Sequence, residues 1–313
     1  MTKKLISILT PCFNEQENVE KLALSVSEVM DKHKEKYEFE HIFIDNYSKD
    51  NTRKILLEMA SKDKRVKLIF NARNFGQFKS PYYGLLQCYG DAVISLAADF
   101  QEPPELIHEF IDKWEQGPPI VAAVKTESNE SKMLFFIRKL YYKTLRRISE
   151  TTLIDNFTGF GLYDKKIMDT LRSLDEPNPY FRGLVCELGF EKAIVKFKQP
   201  LRERGISSNN FMRLYDAAMV GITANTKFPL RLATLLGLAL CACSTLAGIA
   251  LLIVKMILRA NISFGYGPII LISVFFFAGV QLGFIGMVGE YLLSVYTKVN
   301  RRPLVVEERR VNF

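Results

Sequence analysis

Short apolar runs alternate with amphipathic stretches along the first 125 residues of the chain. Apolar runs rich in β-branched and aromatic residues are typical of buried strands, whereas apolar positions three and four residues apart indicate helices. The predicted strands are Leu5–Thr10, Phe39–Asp45, Val66–Phe70, Ala92–Leu96 and Ile120–Val124. The predicted helices between them are Asn18–His33, Thr52–Ala60, Pro81–Tyr89 and Glu105–Gln116. This order predicts an α/β domain with a mostly parallel, doubly wound sheet and a site at the carboxyl ends of its strands.

Two long uncharged runs follow in the last third of the chain. No charged residue occurs from Leu232 to Val254 or from Asn261 to Gly289. Both runs exceed the roughly 20 residues that a helix needs to cross a bilayer core. They predict two transmembrane helices, at about 232–254 and 268–289. A buried helix of a soluble protein is the alternative for one such run, and two runs in tandem make that alternative weaker.

These runs divide the chain into three parts. Residues 1–208 form the predicted α/β domain, 209–228 an interfacial amphipathic helix, and 229–313 the two membrane helices with a basic tail. The N-terminus leads into the first strand without a signal peptide. Cations are more frequent outside the two spans than in the turn between them, which predicts a multi-pass protein of the cytoplasmic (inner) membrane with its large domain and both termini in the cytosol.

The charge balance narrows the range of partners. A net charge of +8 and a pI near 9.1 fit attraction to a lipid bilayer or to phosphorylated substrates. No helix carries a dense basic stripe, so nucleic acid is not an expected partner. The five cysteines have neither metal-site nor disulfide spacing, which favours reduced packing residues. Gly279 and Gly283 form a G-x-x-x-G pattern, which leaves open packing against the first span or assembly into a homo-oligomer.

Polar residues follow several predicted strands. Asp45 lies where a carboxylate can accept from a nucleotide base or ribose. Asp99 lies where it can reach a divalent cation that bridges a diphosphate. The segment Asn71–Lys79 combines two cations with a glycine, which indicates either a phosphate-binding loop or a solvated turn. The first strand is not followed by G-x-G-x-x-G and no Walker motif occurs, so a dinucleotide oxidoreductase and an ATPase are both disfavoured.

Taken in order, the strand ends and both apolar runs resemble family 2 glycosyltransferases of the GT-A fold. The resemblance is strongest to the branch that contains dolichyl-phosphate mannose synthase and the bactoprenol glycosyltransferases. The segments that carry it are Pro11 with Asn14-Glu15, Asp45–Thr52, Arg73–Gly76, Asp99–Glu105, Phe181–Leu184, Arg202–Ser207, Pro229–Arg231, Gly289–Tyr291 and Arg302-Pro303. Each segment alone is weak, but their order and spacing over nearly the whole chain are specific.

The resemblance implies an inverting enzyme that transfers a sugar from a UDP- or GDP-sugar to a polyprenyl phosphate such as undecaprenyl phosphate, with Mg²⁺ or Mn²⁺ as cofactor. The implied residues that bind the sugar donor are Pro11, Phe13, Glu15, Asp45, Asn74, Lys79, Ala98 and Asp99. Asp99 is also the implied catalytic residue, and Asp99 and Gln101 are the implied metal ligands. Candidates for the acceptor phosphate are Lys125, Arg138, Arg202 and Arg204, although the helix around Arg138 could simply rest on lipid headgroups.

Three departures from the family pattern affect the predicted site. The D-x-D motif reads Ala97-Ala-Asp99, the G-D-F-R-L segment reads Thr158–Leu162, and a lysine has become Ser208. A phosphate acceptor is already largely dianionic at neutral pH and needs no general base, so an active enzyme remains the favoured prediction. The alternative is a catalytically silent member that acts as a membrane scaffold or regulator. A processive polysaccharide synthase would need more spans and a Q-x-x-R-W segment, which is absent.

Overall fold

The computed structural model describes residues 3–127, 154, 156–177, 179–200, 267–300 and 302–313, with five isolated helical positions between 235 and 253. The predicted interfacial helix at 209–228 lies outside the described residues, and so does nearly all of the predicted span at 232–254.

The described elements follow the predicted alternation. The strands are β1 (Lys4–Cys12), β2 (Tyr37–Asp45), β3 (Val66–Asn71), β4 (Ala92–Ser95), β5 (Ile120–Glu127), β6 (Phe157–Asp164), β7 (Lys192–Lys198) and β8 (Glu307–Val311). The helices are α1 (Val19–Asp31), α2 (Thr52–Lys62), α3 (Gly76–Leu86), α4 (Leu106–Glu115), α5 (Lys165–Ser173), α6 (Phe181–Glu187) and α7 (Gly267–Val299). The α/β class and every strand predicted in the first 125 residues are confirmed.

The strands form one mixed sheet in the order β7-β5-β6-β4-β1-β2-β3-β8. Strands β1 to β4 are parallel to one another, whereas β6 and β8 run antiparallel to their neighbours. The sheet is therefore more mixed than the predicted, mostly parallel one. Because β1 pairs residue by residue with β2, Cys12 lies beside Asp45, and the carboxyl ends of the central strands share one edge.

Helices cover both faces of the sheet, which explains why its central strands are apolar on both sides. Residues of α1, α2 and α4 bury one face, and residues of α3, α5 and α6 bury the other. The carboxyl edge between these two layers stays open, and the candidate site lies there. The cysteines of the described part, Cys12, Cys88 and Cys186, are free and buried, as predicted for packing residues.

Helix α3 begins five residues before its predicted start at Pro81. Proline is favoured at a first helical position, but here it lies inside the helix. One distant and one local side chain fix the earlier start, since Asn46 accepts from the Phe75 N–H and Asn74 accepts from the Gly76 N–H. Gly76 has a φ of +86°, which glycine adopts without strain. Lys79 consequently lies in a helix and not in the predicted loop.

The C-terminal tail is not simply a basic extension. Residues Glu307–Val311 form β8, which pairs antiparallel with β3 and extends the sheet of the α/β domain. Glu307 pairs with Asn71 and Val311 with Leu68, so the tail enters the sheet at the carboxyl edge. The predicted boundary at residue 208 therefore omits a strand that belongs to the α/β domain.

Helix α7 has 33 residues, which corresponds to about 50 Å. It contains an 18-residue window, Phe276–Leu293, that is long and apolar enough to cross a membrane. Large apolar side chains on it are exposed, among them Leu282 and Ile285. The helix continues ten residues beyond the predicted end of the second span, and it is the one candidate span within the described residues. Two transmembrane helices are thus not confirmed.

Buried His41 predicts a loss of stability in acid. Its Nε2 lies 2.9 Å from Thr10 Oγ1, and burial lowers the pKa of His41 to about 3. Below about pH 6.5 the unfolded chain binds a proton there that the native state does not. The free energy of unfolding should therefore fall by about 2 kcal/mol between pH 7 and pH 5 through this residue. Urea unfolding of wild type and His41→Gln at both pH values measures the difference, and an identical pH dependence would contradict the prediction.

Candidate active site at the carboxyl edge of the sheet

A cleft of about 400 Å³ opens at the carboxyl edge beside β1 and α3. Its lining residues are Pro11, Cys12, Phe13, Asn46, Asn74, Gly76, Gln77, Phe78, Ser80 and Pro81. The structure thus brings together three predicted residues, Pro11, Phe13 and Asn74. Phe13 and Phe78 offer apolar surface, while the amides offer hydrogen bonds, as is common in sites for small organic ligands. We call this cavity the first cleft.

Asn46 is the centre of the polar network in the first cleft, and the sequence-based prediction missed it. Its Nδ2 donates to Asn74 Oδ1 and to the carbonyl oxygen of Gly76, each at 3.1 Å. Its Oδ1 accepts from Asn71 Nδ2 at 3.0 Å and from the Phe75 N–H at 2.9 Å. Its position directly after Asp45 was the available signal, because side chains that follow parallel strands point toward ligand sites.

Asp45 is fully buried beneath the cleft. One of its oxygens accepts from Arg53 Nε at 2.6 Å, and the carboxylate accepts from the Ser48 N–H at 3.2 Å. Asp45 is not among the residues that line the first cleft. Its observed contacts hold the loop after β2 in place, and Asn46 presents the polar group to the cavity.

Glu15 joins two loops. Its N–H donates to Thr52 Oγ1 at 2.9 Å, and its Oε2 accepts from Asn18 Nδ2 at 2.6 Å. The adjacent Asn14, at a φ of 57°, donates its N–H to Ser48 Oγ. The P-x-x-N-E and D-N-Y-S-K-D-N-T segments therefore interlock, and the observed contacts of Glu15 shape the loop that carries Phe13.

Asp99 follows β4 in a tight turn. Its Oδ1 accepts from the Gln101 N–H at 3.2 Å, and the intervening Phe100 has a φ of 57°. Because β4 lies between parallel β1 and antiparallel β6, this turn lies at the carboxyl edge between the end of β1 and the start of β6. Ala98 belongs to the hydrophobic core, is 4% exposed and is not among the residues that line the first cleft.

Glu102 was not among the predicted site residues. Its Oε2 accepts from the Ala97 N–H at 2.8 Å, and its Oε1 accepts from Thr158 Oγ1 at 2.9 Å. Burial, with a smaller contribution from nearby Asp99, raises the pKa of Glu102 to about 7, although its two hydrogen bonds and Lys125 act to lower it. Glu102 thus joins the two segments where the family's other acidic residues are missing. In the sequence, the prolines that follow Glu102 are typical of the start of a helix, so the segment gave no sign of a buried acid.

A divalent cation fits this site only in part. Asp99 and Gln101 can supply oxygen ligands, but no group of three His, Cys, Asp or Glu side chains able to hold a metal occurs in the described part of the chain. Mg²⁺ needs only one or two protein carboxylates when phosphates and water complete its shell. The residues therefore suit a cation that arrives with a diphosphate.

Gly159 and Gly161 replace the acid and the arginine of the family segment at the start of β6. A Cβ on Gly161 would overlap the carbonyl oxygen of Val121 on β5, so this backbone has no room for an arginine. Gly159 has a φ of +101°, and a Cβ there would press against the ring of Phe181 at 3.3 Å. Both glycines are thus required by the close packing of β6 against β5 and α6.

A second cleft of about 330 Å³ adjoins the first. The two share Gln77, Phe78 and Pro81. The second cleft is also lined by Tyr82, Leu85, Ser95, Thr158, Gly159, Pro179, Tyr180, Phe181 and Arg182. Arg182 places a cation in this cavity. Lys125 is a half-buried residue of β5, and it lies close enough to Glu102 to lower the pKa of that carboxyl. The other predicted phosphate ligands, Arg138, Arg202 and Arg204, lie outside the described residues.

Comparisons with known proteins show which family the chain belongs to. Residues 7–172 match the family described as glycosyl transferase family 2. The chain is 34% identical over 300 residues to an uncharacterized glycosyltransferase of Synechocystis sp., covering 96% of this chain and 93% of that protein.

Two further relatives carry more informative names. A prophage-derived bactoprenol glucosyl transferase of Shigella flexneri is 33% identical, covering 95% of this chain and 96% of the relative. A prophage bactoprenol glucosyl transferase homolog of Escherichia coli K12 is 31% identical, covering 97% and 98%. The chain belongs to glycosyl transferase family 2 and is a glycosyltransferase.

Proposed function

We propose that the protein transfers a sugar from a nucleotide sugar to the phosphate of a membrane polyprenol, with inversion, at the cytosolic face of the membrane. The observation that carries the proposal is the placement of β8. It joins the apolar helix α7 to the same edge of the sheet that holds both clefts. The names of the Shigella flexneri and Escherichia coli relatives support an acceptor of this class.

The first cleft is the proposed site for the nucleotide of a UDP- or GDP-sugar. Phe13 and Phe78 provide surfaces for a base, and the amides of Asn46 and Asn74 provide hydrogen bonds for polar groups. The start of α3 supports this assignment, because the backbone N–H groups that follow Gly76 would suit a diphosphate, as would the cation of Lys79 beside the cleft.

The second cleft is the proposed meeting place of sugar and acceptor. Arg182 lines it, and Lys125 lies near its Thr158 side. Cations in these positions suit a lipid phosphate, as would Arg138, Arg202 and Arg204. An oxygen of the acceptor phosphate attacks the anomeric carbon, the bond from that carbon to the diphosphate oxygen breaks, and its electron pair leaves with the nucleoside diphosphate.

The chain's residues bind and orient the reactants in this reaction and supply no general base. A phosphate dianion attacks without giving up a proton, so the absence of an acid at Gly159 is compatible with transfer. Asp99 and Gln101 would hold a divalent cation on the diphosphate. When bound, such a cation neutralises the charge that develops on the leaving group.

Chain topology supports a multi-pass membrane protein. Strands β7 and β8 belong to the same sheet and therefore lie on the same side of a membrane. A single crossing by α7 would put the two ends of that helix on opposite sides. The chain then has to cross an odd number of times between β7 and α7. The uncharged run 232–254 is long enough for that crossing. Both termini and the α/β domain would share the cytosolic side.

The function is tested with the full-length protein in liposomes that contain undecaprenyl phosphate. Radiolabelled UDP- and GDP-sugars are added with Mn²⁺, and lipid-linked product is extracted. Label in the lipid phase that depends on undecaprenyl phosphate supports the proposal. Nucleotide binding with no lipid-linked product from any sugar would refute this acceptor. If the protein neither binds a nucleotide nor transfers a sugar, the result would favour the second candidate, a catalytically silent scaffold. The residues Ala97 and Gly159, which replace acids of the family pattern, make this a specific alternative.

A further inference from the structure

Strand β8 contacts the elements that form the walls of the first cleft. We propose that β8 is a part of the sugar-donor site, and that Glu308 and Arg53 are positioning residues for nucleotide binding. This inference rests on the proposed function of the first cleft. It adds that nucleotide affinity depends on the segment beyond the membrane helix.

Arg53 joins three separate parts of the chain. Its Nε donates to Asp45 Oδ2 at 2.6 Å, its Nη1 donates to Glu308 Oε2 at 2.9 Å, and its Nη2 donates to the carbonyl oxygen of Asn71 at 2.8 Å. Arginine suits this position because its planar guanidinium presents several donors in a fixed geometry. The ends of β2, β3 and β8 are thereby fixed relative to one another.

Two of these attachment points lead directly to the cleft. Asp45 precedes Asn46, and Asn71 donates from its Nδ2 to Asn46 Oδ1 and to Ser80 Oγ. Asn46 and Ser80 both line the first cleft. A shift of the Arg53 guanidinium would therefore move the amide that organises the cavity.

A second set of contacts ties β8 to α3. Tyr83 donates to Glu307 Oε1 at 2.8 Å, and Arg310 pairs with Glu307 at 2.5 Å while donating to Gln87 Oε1 at 2.6 Å. Helix α3 carries the cleft residues Gly76, Gln77, Phe78, Ser80 and Pro81. Strand β8 thus holds both the β3 side and the α3 side of the cleft.

The exposure of Asp45, Arg53 and Glu308 indicates whether their loss should affect folding stability or nucleotide binding. Asp45 is fully buried, Arg53 has a quarter of its side chain exposed, and Glu308 has half of it exposed. An exposed ion pair contributes little to folding stability. Glu308 can nevertheless orient the Arg53 guanidinium, whose other donors bind residues next to the cleft. A site that is ordered before its ligand binds loses less entropy on binding and so has a higher affinity. The consequence is a change in nucleotide affinity with little change in stability.

The test measures binding of UDP and GDP to the full-length protein in nanodiscs by calorimetry. For the nucleotide that wild type binds more tightly, Glu308→Gln should raise Kd about threefold. Arg53→Lys keeps the charge but cannot reach all three partners, and it should raise Kd roughly tenfold. The control is Glu28→Gln, which makes the same change in charge at an exposed position of α1 and should leave Kd unchanged.

Thermal unfolding and transfer kinetics separate positioning from a general structural effect. Glu308→Gln should unfold within about 2 °C of wild type. It should raise the KM for the sugar donor and keep kcat. An unchanged Kd in both variants, or a fall in kcat with an unchanged KM, would refute the positioning role while leaving the proposed function intact. Failure of wild type to bind either nucleotide would overturn the proposed function itself, and the inference with it.

Discussion

Replacement of Asp99 by asparagine is expected to lower the rate of sugar transfer by about 100- to 1000-fold. Asparagine can still accept from the Gln101 N–H through its Oδ1, so the turn after β4 should persist. What is lost is the negative charge that would hold a cation on the diphosphate. Initial rates in liposomes over a range of Mn²⁺ concentrations measure the effect, and Asp112→Asn on the exposed side of α4 serves as the charge-matched control.

The size of this effect depends on how poorly the other acid described near this turn, Glu102, can replace Asp99. Ala97 has replaced one acid, and Glu102 is held by the Ala97 N–H and by Thr158 Oγ1. Burial also favours the neutral form of Glu102, whose pKa is raised to about 7. Glu102 is therefore poorly suited to replace Asp99. Transfer by Asp99→Asn at the wild-type rate would remove Asp99 from the proposed mechanism.

Replacement of Gly161 by alanine is expected to destabilise the α/β domain by about 3 kcal/mol. The new methyl group would overlap the Val121 carbonyl oxygen, a backbone atom that cannot rotate away. Strands β5 and β6 would have to separate where they pair. Thermal unfolding in detergent should show a decrease of about 10 °C in the midpoint.

Gly189→Ala is the matched control for this substitution. Gly189 also has a positive φ, of +70°, but a Cβ there meets only the Glu187 carbonyl oxygen at 4.0 Å. Its cost should be limited to backbone strain, about 1 kcal/mol. Equal destabilisation by the two variants would show that the close approach of β5 to Gly161 is not what excludes a side chain.

Local patterns in the sequence predicted the α/β domain well. Strand β1 is apolar from Leu5 to Leu9 except for Ser7, and β2 contains the apolar run Ile42–Ile44, as burial on both faces of a sheet requires. Asp99 was predicted at a strand end and is found there. The GT-A-like α/β fold and the membership of family 2 are both confirmed, although the sheet is more mixed than predicted.

The features that the sequence left hidden depend on contacts between distant residues. Strand β8 reads Glu-Glu-Arg-Arg-Val, which has no apolar alternation, and its position comes from pairing with β3 and from ion pairs such as Arg53–Glu308. The early start of α3 depends on Asn46, which precedes it by 30 residues. Asparagine after a strand is equally typical of a turn, so the position of Asn46 after β2 did not by itself distinguish a role in the cleft from a role in the turn.

The short connection between α7 and β8 has a consequence for how the enzyme encounters its acceptor. Seven residues separate Val299 from Glu307, which allows a reach of at most about 27 Å. With α7 crossing a bilayer, as proposed, an α/β domain on so short a connection would meet a lipid at the membrane surface and not in bulk solution. With a polyprenyl phosphate as acceptor, enzyme and substrate would diffuse in the same two-dimensional layer. The concentration that governs turnover would then be the number of acceptor lipids per unit area of the leaflet.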